Sequence, residues 1–94
     1  MDVSNQKVVV IGGGASGIAA ARLLARKGAD VTLNDLRTRA ELTGAAKLER
    51  AGVRLALGDH DPSIFADAEL VVVSPGVPPL DIFATVEALS LIHI

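Results

Sequence analysis

The chain has 94 residues, half of them hydrophobic, a formal charge of −2 and no cysteine. That length suits one small domain with a real core, and the missing cysteine excludes disulfides, thiolate metal sites and a Cys nucleophile. The small negative charge gives no strong pull toward nucleic acid or an anionic membrane, so neither is expected as a partner.

The opening "MDVSNQK" has no basic stretch leading into an apolar one, so it is not a secretory signal. The apolar runs are too short to span a bilayer. A soluble, cytoplasmic, monomeric α/β domain is expected.

Lys7–Ile11 is a Val/Ile-rich run suited to a strand buried on both faces. Ser16–Lys27 is rich in Ala and Leu and ends at Gly28, which predicts a helix with a glycine stop. Ala29–Asp35 reads as a second strand. Thr38 and Glu41 have capping-box spacing, and Leu42, Ala45, Ala46 and Leu48 continue one apolar helical face up to Gly52. Val53–Gly58 reads as a third strand, and Asp61-Pro62 as a cap opening a short helix to about Asp67. Glu69–Ser74 is a fourth strand, "PGVPP" a loop, and Asp81–Leu89 a further helix. Strands alternating with helices imply right-handed crossovers. The predicted fold is a Rossmann-like parallel sheet of four strands with helices on both faces, cut short at its C-terminal end.

Gly12, Gly14 and Gly17 match G-x-G-x-x-G between the first strand and the first helix. Gly12 permits the tight turn, Gly14 lets a phosphate approach the backbone, and Gly17 lets the helix approach the sheet. The N–H groups at the helix start then face an anion, with the Ser16 hydroxyl on the same rim. Asp35 ends the second strand 18 residues after Gly17. That is close to the spacing of a ribose-binding acid; a plain strand-end carboxylate is the competing reading. Two ligand classes remain open at this point: a nicotinamide or flavin dinucleotide, and another nucleotide diphosphate.

Ser74, Pro75 and Gly76 follow the fourth strand directly. Gly76 permits a positive φ and Pro75 stiffens the turn, so the loop reads as the second half of a diphosphate cradle or as an ordinary Pro-Gly turn.

"VVVIGGGASGIAAARLLARKGADVTLNDLR" and "DAELVVVSPGVPP" together resemble the N-terminal domain of the Mur ligases, nearest to those adding D-glutamate. The resemblance runs from about Lys7 to about Leu89. It implies a domain over residues 1–89 that binds the UDP part of UDP-N-acetylmuramoyl-L-alanine. It implies that Gly14, Ala15 and Ser16 line the diphosphate. Asp35, Leu36 and Arg37 would contact uracil and ribose, and Ser74, Pro75 and Gly76 would close the far side. The whole enzyme would use ATP and Mg to form an acyl phosphate that the amine of D-glutamate attacks, in peptidoglycan synthesis. No G-x-x-x-x-G-K-[ST] loop occurs in these residues, so no ATP site, catalytic residue or metal ligand is expected within them. Two positions depart from the family pattern: Leu36 stands where Thr is common, and Gly13 where a larger residue is usual. The alternatives are the start of an NAD(P)- or FAD-dependent oxidoreductase and a non-catalytic nucleotide-sensing module.

"GDHDP" invites a metal reading, but three neighbouring side chains converge poorly on one ion; Asp61 as a helix cap and His60 on the surface are expected. The end, "LSLIHI", breaks the pattern, and residues 90–94 are read as a non-native tail, outside the domain and with little effect on its stability.

Overall fold

A computed structural model describes residues 2–75 and 90–93. The strands are β1 (Lys7–Ile11), β2 (Asp30–Asp35), β3 (Arg54–Leu57), β4 (Leu70–Val73) and β5 (Ser90–His93). They form one sheet in the order β3-β2-β1-β4-β5, with every neighbouring pair parallel. The four expected strands are present, and the order reverses between β1 and β4, where open α/β sheets bind their ligands.

Alternation along β1 sorts the core into two layers. Val8 and Val10 pack under α1 (Ala15–Arg26) and α2 (Ala45–Arg50) with Val31, Leu33, Leu48 and Val72. Val9 and Ile11 face the other way, onto Phe65 and Ala68. β1 is central and covered on both faces, which is why it reads as an unbroken apolar run.

Two helices are shorter than their sequence patterns. Thr38 donates from N and Oγ1 to Glu41 Oε1, at 3.0 Å each, so part of the capping box forms. Gly44 then sits at φ 91° and interrupts the chain, and α2 starts only at Ala45. After Asp61-Pro62 the helix is a 3-10 turn over Pro62–Phe65, capped by the Asp61 side chain, which accepts from Ser63 N at 2.9 Å. The expected helix over Asp81–Leu89 lies outside the described residues.

Ser90–His93, in the segment expected as a tail, lies beside β4, matching Leu70–Val73 residue for residue. The physical reason is the open edge of β4, whose unpaired N–H and C=O groups accept any extended apolar segment nearby. Deleting Ser90–Ile94 is therefore expected to lower Tm by several degrees, since each kcal/mol lost shifts a domain of this size by about 4–8 °C. A thermal melt of both chains checks this; an unchanged Tm would mean that β5 adds nothing to the fold.

Candidate functional site

At the C-terminal end of β1 the chain turns sharply. Gly12 has φ 101°, and its N–H donates to Asn34 O at 2.8 Å. Gly14 is the N-cap of α1, with no side-chain cap bond. Gly14, Ala15 and Ser16 are exposed there. A Cβ on Gly14 would meet no atom within 4 Å, so the space above it is open. The first-turn amides of α1 border that space, the arrangement that suits an anion.

The other two glycines of the motif have steric reasons. A Cβ on Gly17 would lie 1.8 Å from Gly12 O and 2.5 Å from Ser74 Oγ, so α1 sits on the turn at backbone distance. Gly12 itself needs its positive φ. Gly13 has a reason that its neighbours in sequence do not reveal: a Cβ there would fall 2.5 Å from Leu42 Cδ1, so Leu42 fills the room of a larger residue.

Asp35, at the end of β2 where a sugar acceptor is expected, is only 7% exposed. Its Oδ2 accepts from Gly13 N at 2.6 Å and from Arg37 Nη2 at 2.9 Å. Its Oδ1 accepts from Arg37 N at 2.8 Å and Arg37 Nε at 2.9 Å. The Arg37 side-chain bonds, helped by the two backbone N–H donors, hold the carboxyl far below its ordinary range, against the cost of burial. The same bonds raise the Arg37 guanidinium. Arg37 thus has a fixed plane, with its side chain 46% exposed. Leu36 beside it is 60% exposed, an apolar surface at the rim.

On the other side of β1, Ser74 is buried; its N–H donates to Ile11 O at 2.9 Å and its hydroxyl to Gly12 O at 3.1 Å. Pro75 follows, exposed. Gly76 lies outside the described residues. The fold therefore gathers Gly14, Ala15, Ser16, Asp35, Leu36, Arg37, Ser74 and Pro75 at the C-terminal ends of three adjacent strands.

Asn34 carried no sequence signal and has a large local role. It is fully buried, and its Nδ2 donates to Ala56 O at 2.8 Å and Asp59 O at 2.7 Å. Oδ1 is then the acceptor for His60 Nδ1 at 2.5 Å. His60 is half-buried against Asn34 rather than free on the surface. Among the described residues no group of three His, Asp or Glu side chains is placed to hold a metal ion. Nor is any described helix long and apolar enough to cross a membrane.

Residues 6–88 match the family model of the Mur ligase MurD-like N-terminal domain. A UDP-N-acetylmuramoylalanine–D-glutamate ligase from Pelobacter propionicus is 47% identical over 79 residues, covering 83% of this chain and 18% of that protein. The chain thus spans less than a fifth of that curated relative's length. Among solved structures, a pseudomurein peptide ligase type C from Methanothermus fervidus superposes with TM-score 0.84 at 33% identity, over 95% of this chain and 19% of the other. The D-lactate dehydrogenase of Escherichia coli superposes with TM-score 0.69 at 20% identity, over 99% of this chain and 30% of the other, a likeness of fold alone. Glycine turn, sheet order, sequence identity and family match agree, and the chain belongs to the Mur ligase family as a MurD-like N-terminal domain.

Proposed function

We propose that this domain binds the uridine diphosphate end of UDP-N-acetylmuramoyl-L-alanine, in the cytoplasm, for a ligase that adds D-glutamate. The diphosphate lies over Gly14, Ala15 and Ser16, where the open space and the α1 amides favour an anion. The base and ribose lie against Leu36 and Arg37, an apolar surface beside a fixed guanidinium plane. Pro75, exposed after β4, borders the far side.

The observation that carries the choice of nucleotide is Asp35. A dinucleotide domain uses the acid at this place as an open acceptor for ribose hydroxyls. Here a carboxylate's four acceptor positions meet four donors from Gly13 and Arg37, which speaks against the oxidoreductase reading. The family's relatives, named for a UDP-linked substrate, support the same choice. ATP and Mg would supply carboxylate activation in the whole enzyme. These residues contain no phosphate loop with Lys and Ser/Thr to hold them, so the part of this domain is to bind and orient the substrate.

Thermal shift tests the choice. At ten times its Kd a ligand adds about 1.4 kcal/mol to stability, several degrees in Tm for a domain this small. UDP is expected to raise Tm and NAD to leave it unchanged. The reverse pattern would replace this reading by the oxidoreductase one.

A further inference from the structure

Asn34 is a polar residue in an apolar layer. It pairs in register with Ile11, whose side chain belongs to the layer around Phe65, and it is fully buried. Water does not reach its amide, so the partners must come from the protein. All three lie at the end of β3 and in the loop after it. Nδ2 donates to Ala56 O at 2.8 Å and to Asp59 O at 2.7 Å, and Oδ1 faces His60 Nδ1 at 2.5 Å.

The two carbonyls fix the amide. Turned over, Asn34 would set its oxygen against both of them, acceptor against acceptor. Oδ1 therefore faces the ring, and that bond requires a proton on Nδ1. The neutral ring of His60 then carries its lone pair on Nε2.

The cluster sits where the β2–β3 ladder runs out. The ladder ends at Asp35 opposite Leu57, and just past it Gly58 N donates to Asp35 O at 3.0 Å. Asn34 directly precedes Asp35, Leu36 and Arg37. Its side chain thus ties the loop after β3, an edge strand of the sheet, to the end of β2 from which Leu36 and Arg37 project. Toward the glycine turn Asn34 uses its main chain instead, accepting from Gly12 N at 2.8 Å.

We propose that Asn34 and His60 are positioning residues, a clasp that sets the nucleoside end of β2, and that His60 acts through Nδ1–H on the protein rather than through Nε2. This rests on the reading of Leu36 and Arg37 as the nucleoside side. Two substitutions separate the ring nitrogens. The amide nitrogen of Asn falls near the place of Nδ1, and that of Gln near the place of Nε2. His60→Asn therefore keeps the clasp, and His60→Gln loses it. The glycine turn hangs on the main chain of Asn34, so loss of the clasp falls on the nucleoside and spares the phosphates.

The test compares the wild-type chain, His60→Asn and His60→Gln. It reads the ring nitrogen shifts of neutral His60, hydrogen exchange at the Gly58 amide, and the affinities of uridine and inorganic pyrophosphate. The wild-type ring is expected to carry its proton on Nδ1. His60→Gln is expected to exchange faster at Gly58 and to bind uridine about fivefold more weakly, the size of one neutral hydrogen bond, with pyrophosphate unchanged. His60→Asn is expected to keep the wild-type values. A neutral ring protonated on Nε2 would overturn the proposal. So would loss of uridine in His60→Asn, whatever His60→Gln does, because the ring would then act elsewhere than at Nδ1. Unchanged uridine in both variants would overturn it, as would equal losses of uridine and pyrophosphate in His60→Gln, the mark of a general loosening. Should the wild type bind no uridine, the nucleoside reading fails, and the ring spectrum and Gly58 exchange decide the clasp alone: an unchanged rate in His60→Gln ends it. If His60→Gln does not fold, His60→Ala, which removes both nitrogens, takes its place.

Discussion

Gly17→Ala is expected to cost the domain about 3 kcal/mol or more and to lower Tm by roughly 12 °C or more. Helix propensity alone predicts the opposite, because Ala is favoured over Gly by about 1 kcal/mol inside a helix. The contact geometry decides between them. The new Cβ would sit 1.8 Å from Gly12 O and 3.0 Å from Gly12 C, both backbone atoms at the tightest part of the chain. Neither can swing aside as a side-chain end can. α1 must lift from the sheet, and it carries Ala21 out of the main core when it does. A thermal or urea melt reads the result. An unchanged or raised Tm would show that the helix does not rest on the turn as described.

Gly14→Val separates binding from folding. At Gly14 the backbone is ordinary for any residue, with φ −74°, and a Cβ meets nothing within 4 Å. Stability should therefore stay within about 0.5 kcal/mol of wild type. The branched side chain nevertheless fills the space through which an anion would reach the α1 amides. UDP affinity should fall by about 100-fold or more, the scale of two charge-assisted hydrogen bonds lost together. Titration beside a melt reads both numbers. Retained affinity would place the ligand elsewhere, and a large drop in Tm would mean the space is not open.

Patterns that depend on backbone and burial were legible in the sequence. The Val8–Ile11 run, the glycine spacing and the Asp61-Pro62 cap each correspond to a feature of the fold. What stayed hidden was where polar side chains point. Asp35 has the right position for a sugar acceptor, yet position along a strand does not tell whether a donor two residues later will fold back onto it. Arg37 does so, and Gly13 N–H completes the enclosure. Asn34 carries no signal in the sequence because its partners Ala56, Asp59 and His60 come from a stretch more than twenty residues away. The late start of α2 has a local cause. The Thr38–Glu41 bonds do form, and the left-handed Gly44 then breaks the helix they would have opened. The pairing of Ser90–His93 with β4 is not legible because an apolar end segment has no signature that separates sheet pairing from a loose tail.

On the proposed function, the glycine turn and the loop after β2 hold UDP. Residue-resolved amide shifts of the wild-type chain, titrated with UDP and separately with NAD, test it most directly. With UDP, shifts should gather at Gly14, Ala15, Ser16, Leu36 and Arg37, with none of comparable size at the opposite end of the sheet, where Lys7, Asp30, Arg54 and Asp67 line a separate cleft. NAD should leave the same amides in place. Shifts with NAD and not with UDP, or UDP shifts gathered around Lys7 and Arg54, would contradict it.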